Sequence, residues 1–274
     1  MAFIFNQAGE ISYEVRATGI LSTQPIETGV TVPFGTVVHP GVLASHHQHF
    51  FSLRIDPAID GQHNRLTYTD VEPYPHRDSF NPHGVGYRSI DTVVEKSGPL
   101  DLDTSRNRVF KIENEHSRNL VNGRPVAYKI QVPDFQKILA AEGSFHHRRS
   151  EFADHNLYVT RYREGELWAG GQYTFQSRGG GGVRSYAARK DSVVDEDIVI
   201  WVSFGINHIP RIEDFPVMPV EILRVHLKPV NFFSKNPALD VPPSSQEVNK
   251  SELLISENST INSCCMNARG SSHL

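Results

Sequence analysis

Residues 198–204 read Ile198-Val199-Ile200-Trp201-Val202-Ser203-Phe204, an almost continuous apolar run with the length of a β-strand. Similar short runs, either apolar or alternating, recur at residues 30–38, 50–55, 109–112, 128–132, 157–162 and 222–227. Glycine, proline, asparagine and aspartate separate these runs, and no long segment repeats its apolar residues with a helical period. The pattern therefore predicts an all-β fold, a large β-sandwich, rather than alternating strands and helices.

The chain begins with a predicted hairpin. Residues 3–5 are apolar, the next four residues are typical of a turn, and residues 11–16 alternate apolar and polar side chains, which indicates a half-buried second strand. One short helical turn is predicted at residues 135–142. The four glycines at residues 179–182 predict a loop, because the spacing and the strand-to-helix setting of a phosphate-binding fingerprint are absent.

Composition limits the classes of function. The 274 residues are 38% hydrophobic and 21% charged, as expected for a soluble globular protein. A net charge of −4 gives no general attraction to nucleic acid or anionic lipid, and no apolar run approaches the ~20 residues that a membrane span needs. Beyond Pro243 the composition changes to serine, asparagine and glutamate, which predicts one domain over residues 1–243 and a disordered tail over residues 244–274. Cys264 and Cys265 are adjacent, so any metal must be held by imidazole and oxygen.

A histidine-rich segment precedes one of the predicted strands, with the sequence His46-His47-Gln48-His49. Because side chains alternate between the faces of a strand, His47 and His49 point to the same side. Two imidazoles are weak evidence for a metal site without a third ligand. His208 is a candidate, because it follows the apolar strand and precedes a proline-punctuated loop, and at that strand end it would face the first pair.

Three motifs resemble those of the copper-dependent primary-amine oxidases. They are the His47-Gln48-His49 strand, the segment Asn207-His208-Ile209-Pro210-Arg211-Ile212-Glu213-Asp214-Phe215-Pro216-Val217-Met218-Pro219, and the ending that runs from Leu227-Lys228-Pro229-Val230-Asn231-Phe232-Phe233 to Asn236-Pro237-Ala238-Leu239-Asp240. The resemblance extends over residues 3–243. It implies the large catalytic β-sandwich of that family, incomplete at its N-terminus.

The resemblance implies that His47, His49 and His208 bind copper. Three neutral imidazoles suit Cu(II), which lies at the top of the divalent affinity order. Zinc could occupy the same ligands, and the resemblance favours copper. Met218 matches a family methionine near the metal, although ordinary core packing explains it equally well.

A second metal site is implied by Asp56 and Asp197. In the family these positions resemble carboxylate ligands of a peripheral calcium or sodium site, with the backbone carbonyls of Pro57 and Ile198 as further ligands. Ala58 stands where some members carry another aspartate, which lowers the charge of such a site. The alternative is a pair of solvated acids in turns.

The organic cofactor of the family is topaquinone, formed from a tyrosine within Thr-x-x-Asn-Tyr-Asp/Glu. None of the nine tyrosines here follows an asparagine, and the corresponding family position lies just before residue 3. The aspartate that acts as catalytic base lies further upstream, so Met1 is expected to be an internal start or the start of a truncated gene model. The parent enzyme would oxidise a primary amine with O2 to aldehyde, ammonia and hydrogen peroxide, whereas this chain is expected to keep only the copper-binding scaffold.

Two alternatives remain open at this point. One is a non-catalytic copper-binding or dimerising remnant of the family. The other is a cupin-type iron or manganese oxygenase, which normally places a glutamate where Ser52 or Leu53 stands here. The resemblance also implies a homodimer, and the ending Ser272-His273-Leu274 predicts a peroxisomal rather than a cytoplasmic location.

Overall fold

The computed structural model describes residues 1–133 and 135–240. One compact unit spans Met1–Ala238. The strands are β1 (Ala2–Phe5), β2 (Ile11–Ile20), β3 (Thr23–Pro25), β4 (Gly35–His39), β5 (Val42–Ser45), β6 (His47–Ile55), β7 (Arg65–Pro73), β8 (Tyr87–Val93), β9 (Gly98–Leu100), β10 (Val109–Arg118), β11 (Pro125–Gln131), β12 (Leu157–Arg161), β13 (Ile198–His208) and β14 (Val217–Val230). The α-helices are α1 (Phe145–Arg149) and α2 (Val183–Ala187), and short 3-10 helices lie at Thr104–Arg106, Glu151–Asp154, Ile212–Asp214 and Pro237–Asp240.

The strands form three antiparallel sheets. The largest has the order β1-β2-β14-β11-β10-β7-β8, the second β6-β13-β12-β9, and the smallest β3-β5-β4. The first two sheets share one core, in which the side chains come from both sheets: Val15, Phe110, Ile130, Val159, Ile200 and Phe204. Two sheets facing each other across a common apolar core make a sandwich, so the all-β prediction is confirmed.

Strand β13 is buried on both faces. Ile198, Ile200 and Phe204 point into the core between the two sheets. Val199 and Trp201 point the other way and pack in a second cluster that includes residues of α2. The run is continuously apolar because neither face of this strand meets solvent, and the alternation seen in half-buried strands is therefore absent.

The predicted hairpin at the start of the chain is confirmed as β1 paired with β2. The run at residues 30–38 is a strand only from Gly35 onward. The glycines at residues 179–182 lie in a loop, as predicted, and end at the start of α2. The smallest sheet was not predicted, because β3 has only three residues, too few to show an alternation of apolar and polar side chains.

The predicted helical turn at residues 135–142 is wrong. The main chain there forms hydrogen bonds outward: Leu139 N–H donates to the Gln48 side chain over 2.9 Å, and Ile138 N–H donates to the Ala153 carbonyl over 3.1 Å. These bonds use the groups that a helix would have paired internally. The helix α1 begins later, after Ser144, whose hydroxyl accepts a hydrogen bond from His147 N–H and caps it.

The predicted tail at residues 244–274 lies outside the described residues, together with both cysteines and the C-terminal tripeptide. Among the helices that the structure describes, none has the length and apolar character needed to cross a membrane.

Candidate metal centre

The three predicted histidines meet where β6 pairs with β13. The antiparallel register places His208 directly opposite His47, and Ile206 opposite His49. Since side chains two apart on a strand share a face, His47 and His49 project to the side on which His208 also lies. One nitrogen from each of the three rings lies within 4.8 Å of the other two. Among the described residues, this is the cluster of histidine, cysteine or acidic side chains that is close enough to hold a metal ion.

Each of two ring nitrogens is directed at the other. His208 Nδ1 lies 3.2 Å from His47 Nε2. Two nitrogens bound about 2 Å from one metal ion are separated by about this distance. The separation therefore fits a shared cation.

Hydrogen bonds fix which nitrogen the rings of His47 and His208 leave free. His47 Nδ1–H donates to the Ser45 carbonyl over 2.8 Å, so Nε2 keeps its lone pair. His208 Nε2–H donates to Asp214 Oδ2 over 2.9 Å, so Nδ1 keeps its lone pair. The two free lone pairs face each other and repel unless a proton or a metal ion lies between them. Outer partners of this kind accompany most metal-binding histidines, and they orient the ring.

Asp214 supplies a buried negative charge behind His208. Its side chain is 4% exposed and lies at the end of the 3-10 helix Ile212–Asp214. Burial disfavours the charged carboxylate, but hydrogen bonds from His208 and from the main chain and side chain of Arg211 outweigh burial, so the pKa of Asp214 lies below its usual value. The site thus has a carboxylate that would compensate the charge of a cation held by the three rings.

The surroundings of His49 favour its neutral form. Burial lowers the pKa of its imidazole, and the neighbouring His47 and His208 lower it further. A metal binds the neutral ring, and binding to an already neutral ring displaces no proton. The electrostatics of the site therefore favour ligation by His49 near neutral pH.

Gly205 allows β13 to approach the ligand strand closely. A Cβ at this position would lie 2.1 Å from the carbonyl oxygen of His49. Any side chain here would push the two strands apart beside His49. The absence of a side chain at residue 205 is therefore part of the geometry of the histidine cluster.

The predicted second pair is brought together with an arginine beside it. Asp56 is exposed, and its Oδ2 accepts a hydrogen bond from Arg54 Nη1 over 3.0 Å. Burial raises the pKa of Asp197, and the negative charge of Asp56 raises it further. Pro57 and Ile198, whose carbonyls were predicted to contribute, are both buried. The two carboxylates are thus electrostatically coupled, and Arg54 partly neutralises one of them.

Sequence reasoning missed the residues that support the three histidines. Asp214 stood in a quoted motif without a role, and its position six residues beyond His208, in a loop able to fold back, was the available signal. The Ser45 carbonyl carries no side-chain signature at all. Met218 is buried, and it pairs with Gly19 across β14 and β2.

Comparison with known proteins identifies the family. The family model described as copper amine oxidase, enzyme domain, matches residues 1–248. Copper amine oxidase 1 of Aspergillus niger is 44% identical over 268 residues, which cover 97% of this chain and 39% of that protein. Peroxisomal primary amine oxidase of Pichia angusta is 36% identical over 253 residues, covering 88% of this chain and 36% of that protein. A crystal structure of a copper-containing benzylamine oxidase from Hansenula polymorpha superposes with a TM-score of 0.87 at 48% identity, covering 89% of this chain and 38% of that one. This chain belongs to the copper amine oxidase family, and it spans about 39% of the length of the Aspergillus relative.

Proposed function

We propose that this chain forms the copper-binding part of a primary-amine oxidase, with His47, His49 and His208 as the copper ligands. The observation that carries the proposal is the cluster of three imidazoles, each with a nitrogen within 4.8 Å of the other two, in which the free nitrogens of His47 and His208 lie 3.2 Å apart. The full reaction oxidises a primary amine with O2 to aldehyde, ammonia and hydrogen peroxide. Bound copper would supply redox chemistry toward oxygen. The three imidazoles would hold the ion, while the Ser45 carbonyl and Asp214 fix the tautomers of His47 and His208 and Asp214 balances the charge.

Metal analysis tests the ligand set. We expect the full 274-residue chain to retain about one copper per chain after dialysis, and His208→Ala to lose it, because two imidazoles hold the ion far less well than three. His46→Ala is the matched control, since His46 is an exposed histidine directly before β6 and next to a proposed ligand. Copper retained in His208→Ala, or lost equally in His46→Ala, contradicts the assignment.

We propose further that the 274-residue chain alone forms no topaquinone and turns over no amine. The support is that none of its nine tyrosines follows an asparagine, as the cofactor-forming tyrosine of the family does. A carbonyl electrophile and a base for the α-proton are both required by the reaction. Redox-cycling quinone staining and peroxide production from a primary amine should both be negative in copper-loaded protein. Positive staining would refute this part of the proposal and the alternative of a non-catalytic remnant together.

A second cation, calcium or sodium, is proposed at Asp56 and Asp197 with the main chain of Pro57 and Ile198. The support is that burial, and after it the charge of Asp56, raise the pKa of Asp197, and a cation between the two carboxylates would favour the charged form of both. Calcium should raise the thermal midpoint of the wild type and leave that of Asp197→Asn unchanged. Glu164→Gln serves as a control at an exposed acid. An equal rise of the thermal midpoint with calcium in all three proteins would rule out a calcium site at Asp56 and Asp197.

The remaining proposals concern organisation. We propose one domain over residues 1–243, a disordered tail over residues 244–274, a homodimer, and a peroxisomal location from Ser272-His273-Leu274. A relative in Pichia angusta is named peroxisomal, and exposed apolar side chains on β14, among them Val217, Val220 and Ile222, suit burial by a second copy. Limited proteolysis tests the bounds of the domain and the tail, and sedimentation tests the homodimer. Imaging of a variant that lacks residues 272–274 tests the location.

A further inference from the structure

We infer that Gln48 is a positioning residue for the metal centre: its amide clamps residues 135–140, here called the crossing segment, onto the strand that carries His47 and His49. The inference rests on the proposed copper site. It deepens that proposal by assigning a role to the side chain that lies between the two ligands and points away from them.

The clamp is a two-point amide contact. Gln48 Oε1 accepts from Leu139 N–H over 2.9 Å, and Gln48 Nε2–H donates to the Lys137 carbonyl over 3.2 Å. Both partners are main-chain groups of residues two apart, so the side-chain amide pairs with the segment as a neighbouring strand would. Only an amide offers a donor and an acceptor in this arrangement, because glutamate lacks the donor and methionine lacks both.

The clamp acts on a strand that has one neighbour. In the part of the chain that the structure describes, β6 lies at the edge of its sheet and pairs with β13 alone. An edge strand lacks lateral hydrogen bonds on its outer side, so its twist is less constrained than that of an inner strand. The amide clamp restrains β6 at Gln48, between the two proposed ligands and on the face of the strand opposite to them.

The crossing segment itself is anchored without Gln48. Lys137 Nζ lies 2.6 Å from Asp101 Oδ2, and Ile138 N–H donates to the Ala153 carbonyl over 3.1 Å, so two contacts outside β6 hold it. The ring of Phe135 also packs edge-on against Phe50 of β6 itself, with centroids 5.8 Å apart, and adds an apolar contact to the amide clamp. The segment therefore provides a fixed support to which Gln48 attaches the ligand strand. Loss of the amide should leave the segment docked and loosen β6 between its two histidines.

The consequence concerns metal affinity. His208 lies on the inner strand β13, whereas His47 and His49 both lie on the edge strand, so the fit of the three nitrogens depends on how β6 is held. Supporting residues outside the ligand shell commonly change metal affinity 10–100-fold. Gln48 contacts the strand support rather than a ligand ring, so an effect of about tenfold is expected.

The test uses the full chain with Gln48→Met, which keeps the side-chain length and removes both hydrogen bonds. Copper(II) affinity is measured by chelator competition, the ligand field by electron paramagnetic resonance, and metal-free stability by thermal melting. Lys137→Met is the matched control, because it cuts the Asp101 anchor of the same segment and leaves the amide clamp in place. We expect copper affinity about tenfold weaker and a broadened spectrum in Gln48→Met, with affinity and spectrum unchanged in Lys137→Met.

Other outcomes separate the two proposals. Wild-type affinity and spectrum in Gln48→Met, with only a lower metal-free midpoint, would overturn the positioning role while copper binding by the wild type upholds the proposed function. Absence of copper from the folded wild type would overturn both. Gln48→Glu provides a second variant should Gln48→Met not fold: it keeps the acceptor for Leu139 and loses the donor to Lys137, so an affinity indistinguishable from wild type would also overturn the role.

Discussion

At the scale of single residues, the candidate metal centre depends on which nitrogen each imidazole leaves free. The tautomer of His47 is set by the main-chain carbonyl of Ser45, which a side-chain substitution at residue 45 does not remove. The tautomer of His208 is set by Asp214, a side chain that can be replaced. The alternation rule predicted that His47 and His49 share a face, whereas nothing in the sequence shows which partner each ring nitrogen acquires, because those partners come from the fold.

Asp214→Asn tests the support of His208. The amide can still accept the hydrogen bond, but the negative charge that compensates the cation is lost, so copper affinity should fall about 10–100-fold. Glu213→Gln removes an exposed charge at the neighbouring position and should leave the affinity unchanged. Chelator competition measures both variants, and equal affinity for the two would mean that Asp214 plays no special part.

At the scale of elements, the site is a property of one strand pair. The apolar run at residues 198–204 and the histidines before residues 50–55 each predicted a strand, and both exist, as β13 and β6. Their pairing could not be predicted, because register depends on contacts that are more than 140 residues apart along the chain, as between His47 and His208. The crossing segment was mispredicted as helical because its local pattern gave no sign that Gln48 would take its main-chain groups.

Gly205→Ala tests the close approach of these strands. The added Cβ would meet the His49 carbonyl, so we expect a loss of roughly 1–3 kcal/mol in the free energy of unfolding and weaker copper binding. Gly181→Ala is the control, because a Cβ at that position has no heavy atom within 4 Å among the described residues. Denaturant unfolding and copper titration check the two effects. Wild-type values of both in Gly205→Ala would show that β13 can move away from His49 without loss of stability.

At the scale of the whole molecule, the two large sheets enclose one core, and a part-buried ion pair connects two regions of the larger sheet. Arg108, directly before β10, forms two hydrogen bonds with Asp70 on β7, over 2.8 and 2.7 Å. These bonds from Arg108, followed by its charge and that of Arg106, hold the pKa of Asp70 below its ordinary value of 3.8, although burial opposes the shift. The β-sandwich could be predicted from strand density, but these pairs depend on register and could not.

Asp70→Asn tests the contribution of this pair to acid stability. Because the pKa of Asp70 is lowered in the folded protein, the stabilisation is fully present above pH 3.8 and is lost as the pH falls through the lowered value. The variant should therefore be less stable than wild type by about 2 kcal/mol near neutral pH, and the difference should shrink in strong acid. Urea unfolding of both proteins across this range measures it, with Glu164→Gln as a control, and a difference that stays constant with pH would contradict the linkage.

The central claim is that one copper ion binds the imidazoles of His47, His49 and His208. The most direct measurement is electron paramagnetic resonance of the full chain loaded with one equivalent of copper(II), with histidine in natural and nitrogen-15 forms. Ligation by the three histidines predicts nitrogen coupling that changes with the isotope, fits three imidazoles in the wild type and fits fewer in His208→Ala. A wild-type spectrum that the isotope leaves unchanged, or that matches hydrated copper, would contradict it.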